Sequence, residues 1–240
     1  MKNLFLSAQV YVLGTILFGF GLMVWMVAQV DWANTGLYLL SALGAMAQTL
    51  KVEGPNDKTN YSIAWFVYGF TFILFGTASA LFVVTISHLV EWIWHKYPWY
   101  IQSFNIGAHG IPVFLAGLVL GTLSRSAPAL DLGSALGMVA ANVVFVFGNH
   151  FLVGLVIKLA RGQSFEQSGV FGFLTLFLDF TILSMGAVTA LIWQTSPVAA
   201  LLNIPPLYLL YHALRVPALQ RQLQEMKTLR VPVGLHASGD

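Results

Sequence analysis

Strongly polar side chains recur inside apolar runs of this chain, and they are the residues that could do chemistry. His88, Glu91 and His95 stand at i, i+3 and i+7, a spacing that places all three on one face of a helix. Asn105 and His109 repeat the pattern at i, i+4 in the next apolar run. Asn142, Asn149 and His150 mark the following one, Asp179 stands alone in a later one, and His212 lies near the end of the last. An ionisable group in such a setting is costly and is a functional hypothesis by default.

Three chemistries fit these residue types. The first is structural, with Asn, His and Glu bonding across helices or sitting at headgroup depth, where long side chains reach water. The second is a ligand pocket or pH-sensitive site, since histidine titrates near neutrality. The third is a metal or haem site using His88, His95, His109 and His150. His and Glu bind divalent metals, but H-x-x-E-x-x-x-H is not the H-E-x-x-H of metalloproteases. The expectation is therefore no metal, no cofactor and no catalytic residue. The tentative ligand-binding set is His88, Glu91, His95, Asn105, His109, Asn149, His150 and Asp179. Asp179, the one acid deep in an apolar run, is expected to be protonated or partnered, with His150 as the partner at hand.

The elements that must position these residues follow from composition. Of 240 residues, 58% are hydrophobic and 8% charged, against roughly 25% charged in soluble domains. Mean hydropathy is +0.78. So few charges cannot cover a water-facing surface, and the solvent must be lipid. Cysteine is absent, which excludes disulfides and cysteine-ligated metals. No P-loop, dinucleotide fingerprint, nucleophile elbow or nucleic-acid module occurs.

A helix needs about 20 apolar residues to cross a bilayer. Eight stretches qualify or nearly do: 8–30, 35–50, 61–75, 77–94, 105–124, 132–159, 169–193 and 198–214. The predicted fold is an all-α polytopic bundle with both termini cytoplasmic. The run 61–94 is ambiguous, being one long tilted helix or two short ones broken near Gly76. Charge decides, because cytoplasmic loops carry excess Lys and Arg. Eight spans place ten basic residues inside and only Arg125 outside; seven spans give 7 against 4. The polar set then falls largely in the inner leaflet, with Asp179 near mid-membrane. Gly117/Gly121 and Gly133/Gly137 predict close helix contacts. Pro205-Pro206 predicts a bend inside the last span. Residues 1–214 form the bundle, 215–230 an amphipathic exit helix carrying Leu219, Leu223 and Met226, and 231–240 a disordered tail.

Three stretches carry a family likeness: residues 99–111 (WYIQSFNIGAHGI), 148–165 (GNHFLVGLVIKLARGQSF) and 206–222 (PLYLLYHALRVPALQRQ). Together they resemble the N-terminal membrane sensor regions of bacterial signalling proteins that carry GGDEF or HD-GYP output domains. The likeness covers roughly residues 51–222. It implies a non-enzymatic sensor in the bacterial plasma membrane that takes a small or lipophilic ligand and moves a helix against a cytoplasmic partner or a second copy. It makes Asn105 and Asn149 family-like positions, structural in kind. The departure is that no GGDEF or HD-GYP sequence follows Arg230, so cyclic-di-GMP chemistry does not carry over. The alternatives are a small-molecule transporter component, or a haem, redox or assembly subunit of a membrane complex. No nucleic-acid partner is expected.

Overall fold

The computed structural model describes residues 1, 4–53, 60–123 and 132–229. Six of its helices are long and apolar enough to cross a membrane by length and composition. The order is α1 (Leu6–Val27), α2 (Thr35–Thr49), a minimal hairpin of β1 (Val52–Glu53) and β2 (Asn60–Tyr61), and α3 (Ala64–His95). Then come α4 (Trp99–Leu123), α5 (Leu132–Arg161), the short α6 (Phe165–Ser168) and α7 (Phe173–Thr195). A turn of helix, α8 (Pro197–Ala200), and a 3₁₀ turn lead into α9 (Ile204–Leu229). The predicted all-α bundle is what the chain forms. The only strands among the described residues are the antiparallel pairs Val52–Tyr61 and Glu53–Asn60.

α3 is two arms, not one rod. Gly76 has φ 80° and ψ −179°, a region that is essentially glycine-only. Straight, α3 would separate Val67 from Val83 by about 24 Å. Yet a Cβ built on Gly44 of α2 would meet both Val67 and Val83. Trp65 and His88 likewise both lie against the His109 ring, at centroid distances of 5.3 and 4.6 Å. The chain therefore reverses at Gly76, and residues 64–75 and 77–95 lie side by side. This is the two-helix alternative for the ambiguous run. The arms differ in length, so the first begins about 10 Å nearer the middle of the bundle than the second ends. The β1–β2 hairpin fills that step.

Counting the arms of α3 separately, eight segments alternate in direction. α1 runs alongside α4, with Tyr11 by Phe104 and Trp25 by Phe114. α2 runs alongside the second arm, with Gln48 bonded to Glu91. α4 and α5 are antiparallel, with Asn149 bonded to the Ala108 carbonyl and Gly148 against Pro112. α5 and α7 are antiparallel through His150–Asp179 and Asn142–Ser184. One end of the bundle thus carries Lys51, Lys96, Lys158 and Arg161. The other carries the turns at 28–34, Gly76 and 196.

The apolar core lies toward that second end. Phe72, Leu81, Val113, Phe145, Ile182 and Leu183 are almost fully buried there. Small residues allow the closest approach: a Cβ on Gly69 would strike the Leu183 carbonyl, and one on Gly186 the Phe66 carbonyl. Close backbone contact through small residues is how helices associate where no hydrophobic drive exists between them. Of the predicted glycine pairs, Gly117 packs on Thr77 within the bundle, and Gly121 meets nothing.

The last span is irregular beside its proline pair. The chain is helical from Pro197 onward, and Pro205 and Pro206 follow directly on the 3₁₀ turn Leu201–Asn203, where the regular helix is interrupted. α9 then continues unbroken through the predicted exit segment to Leu229. Residues 230–240, with the expected tail, lie outside the described residues, as do Lys58 and Arg125.

Replacing Gly76 with Ala forces a side chain into a glycine-only conformation and should cost about 1–3 kcal/mol. Gly14→Ala, in open space within α1, should be neutral. Thermal unfolding of both variants in one detergent checks this; equal midpoints would contradict the reversal at Gly76.

Candidate functional site

The polar residues converge at the basic end, beneath the β1–β2 hairpin. Glu91 is the centre, with its side chain wholly buried. A carboxylate there needs donors from the protein, because neither lipid nor water supplies them. Its Oε2 accepts hydrogen bonds from Gln48 Nε2 (3.0 Å), His88 Nδ1 (3.0 Å) and Gln102 Nε2 (2.9 Å). Its Oε1 forms an ion pair with Lys51. Lys51 also lies over the Tyr97 ring, 5.5 Å from its centroid. Donors from α2, the second arm of α3 and α4 are thus drawn to one anion.

A second layer holds those donors. Gln48 Oε1 accepts from Ser62 (2.9 Å) and Tyr68 (3.4 Å). Gln102 Nε2 also donates to the His88 carbonyl (2.7 Å), and Asn105 Nδ2 donates to Gln102 Oε1 (3.3 Å). The second charged pair is His150 with Asp179. His150 Nδ1 donates to the Val170 carbonyl at 2.8 Å, and Nε2 lies 2.9 Å from Asp179 Oδ2. A proton shared between Nε2 and Oδ2 would make this a hydrogen-bonded pair without net charge. Asp179 therefore has the partner the sequence suggested.

Between these groups lies a cavity of about 180 Å³. Gln48, Lys51, His88, His109, His150 and Asp179 share its wall with Asn60, Ser62, Trp65, Asn105, Asn149, Val153, Val170 and Thr175. The histidines face it in one manner. His88 and His109 each turn Nδ1 to an acceptor, the Glu91 carboxylate and the Asn105 carbonyl (3.0 Å) respectively. For His109 the carbonyl acceptor fixes the proton on Nδ1 and leaves a lone pair on Nε2 of the neutral ring, whereas His88 Nδ1 faces both the Glu91 carboxylate and, at 3.2 Å, the Gln102 amide nitrogen. His88 Nε2 and Asp179 Oδ1 are buried with no hydrogen-bond partner. Asn149 is spent on the α4–α5 contact through Ala108.

Seven of the eight sequence-predicted residues are brought together. The exception is His95, which shares a helical face with Glu91 but is exposed at the end of α3, where it stacks on Tyr97 at 5.5 Å. Sequence reasoning missed Gln48, Lys51, Ser62, Trp65 and Gln102. Gln48 and Gln102 were legible as lone amides in apolar runs. Lys51 was hidden because it lies in a polar turn, where a basic residue is ordinary. Among the described residues no three His, Asp or Glu side chains form a group that could hold a metal ion.

Beside this cavity a larger, mostly apolar cleft of about 390 Å³ lies between α1, α4 and α5, lined by Val12, Phe104, Val156 and Ile157. Nothing matches the chain among known family models, curated proteins or solved structures.

Lys51→Met should strand the buried Glu91 carboxylate, costing about 3–5 kcal/mol. Adding Glu91→Gln should recover most of that loss, because no charge then remains to be paired. Unfolding free energies of the single and double variants test it; a double variant as unstable as the first would show that Lys51 acts through something other than Glu91.

Proposed function

We propose that this chain is a membrane-embedded ligand-binding module that reports the occupancy of its cavity through its C-terminal helix. The observation that carries the reading is a half-open cavity with Lys51 and Asn60 on its wall, at the two ends of the segment that holds β1, and α9 touches β1. β1 lies directly after Lys51 and contacts α9. Ala218 is the one buried side chain among those described in α9. Movement of Lys51 against Glu91 would therefore be felt at β1 and passed to α9.

The eight segments cross the membrane in alternation, and the basic end is cytoplasmic. Lys51, Lys96, Lys158 and Arg161 at one end support this orientation, by the excess of basic residues in cytoplasmic loops. Two segments, α2 and the first arm of α3, are only about 22 and 18 Å long. They serve because the β1–β2 hairpin is sunk at the cytoplasmic face. The likeness to bacterial sensor regions agrees with this arrangement, and the partner of α9 is then a cytoplasmic protein or a second copy. The plasma membrane of a bacterium is the setting that likeness implies. The dense apolar core between the cavity and the outer face favours a sensor over a conduit.

Two experiments follow, both eased by the lack of native cysteine. Cysteines at Lys58 and Arg161 should react with an impermeant maleimide from the same side, and one at Arg125 from the other; Lys58 and Arg161 on different sides would overturn the topology. A cysteine at Asn149 should be labelled slowly, and Ala218→Trp, which lifts α9 from β1, should speed labelling on the order of tenfold, equivalent to ~1.4 kcal/mol of α9–β1 contact. An unchanged rate would separate α9 from the cavity and end the sensor reading.

A further inference from the structure

We propose that the cleft between α1, α4 and α5 takes a single-chain fatty carboxylate, with its acid group at Arg161 and its chain along Val12, Phe104, Val156 and Ile157. The site is separate from the polar cavity, and the inference goes beyond the binding-module reading and stands without it. The cleft holds about 390 Å³ and its wall is mostly apolar. Val12 and Phe104 belong to an apolar cluster distinct from the main core. Water finds few partners on such a wall, whereas a hydrocarbon chain leaves water by lying against it. Arg161 ends α5 at the basic end, is exposed, and lines the same cleft.

Charge and size narrow the occupant. The ion pairs among the described residues are Lys51–Glu91, His88–Glu91 and His150–Asp179, so no carboxylate there answers Arg161. Lys158, one turn earlier, lies over the Phe165 ring at 5.6 Å. Arg161 therefore offers the cleft a free guanidinium, whose planar fork matches a carboxylate bidentately. Among the described residues no acidic side chain lines the cleft, so a cationic head would meet only repulsion. Tyr100 adds a hydroxyl to the same wall. A cavity of roughly 150 Å³ holds benzene, so this cleft holds about 15 non-hydrogen atoms, one medium-length chain with its acid group and not the two chains of a phospholipid. Val153 also lines the cleft, about 12 Å inward from Arg161 along α5, which gives the chain a path toward the middle of the bundle.

The test uses the full chain in nanodiscs of zwitterionic lipid at mildly alkaline pH, where the acid is ionised. Diazirine-bearing dodecanoate and 1-dodecanol are photolysed in turn, and labelled peptides are mapped by mass spectrometry against labelling elsewhere on the chain. Dodecanoate should label the cleft residues of α1, α4 and α5 saturably, at least fivefold more than dodecanol does. Arg161→Gln should lower that labelling at least threefold, and Arg161→Lys, which keeps the charge, should lower it less. The side chain is exposed, so neither variant disturbs the core. Equal labelling by dodecanol, or unchanged labelling in Arg161→Gln, would overturn the carboxylate. Selective loss of cleft labelling when phosphatidylglycerol is added to the disc would assign the cleft to a phospholipid chain and overturn the free acid. No labelling of the cleft by either probe would overturn the site itself.

Discussion

A carboxylate enclosed by protein inside a bilayer must find every one of its donors within the chain, and that requirement organises this molecule. Glu91 has no exposed surface and takes four partners from three segments. Removing water from such a group costs several kcal/mol unless the partners are in place. The partners are therefore geometric demands on the fold. Gln48 must reach across from α2, Gln102 must begin α4 beside the end of α3, and Lys51 must leave α2 at the depth of Glu91.

The second constraint is the reversal at Gly76. Only by folding back can α3 offer Trp65 and Tyr68 from one arm and His88 and Glu91 from the other to the same side of α4. The unequal arms leave a step, the hairpin occupies it, and the cavity lies beneath. The end with the Gly76 turn is closed by large apolar side chains, while the basic end gathers most of the buried polar ones. α9 passes the basic end, where it touches β1.

Much of this was legible in the residues. Long apolar runs gave the helices, because only a helix satisfies its own backbone in lipid. Gly76 stood out as the one break in an overlong run, and basic residues weighed for two arms over one. The i, i+3 relation of His88 and Glu91 was sound, and the same periodicity wrongly added His95, because period reports a face and not a depth. Lys51 could not be found by pattern, since its role depends on Glu91, forty positions away and on another helix.

The reversal of α3 is the feature on which cavity, network and topology all depend, and a distance across it is the most direct test. Nitroxide labels at Ile63 and Trp94, just outside and near the ends of the two arms, can be measured by double electron–electron resonance in nanodiscs. Folded arms predict a separation of one to two helix spacings of about 10 Å each. A distance near 46 Å, the span of a continuous helix between those positions, would contradict the account.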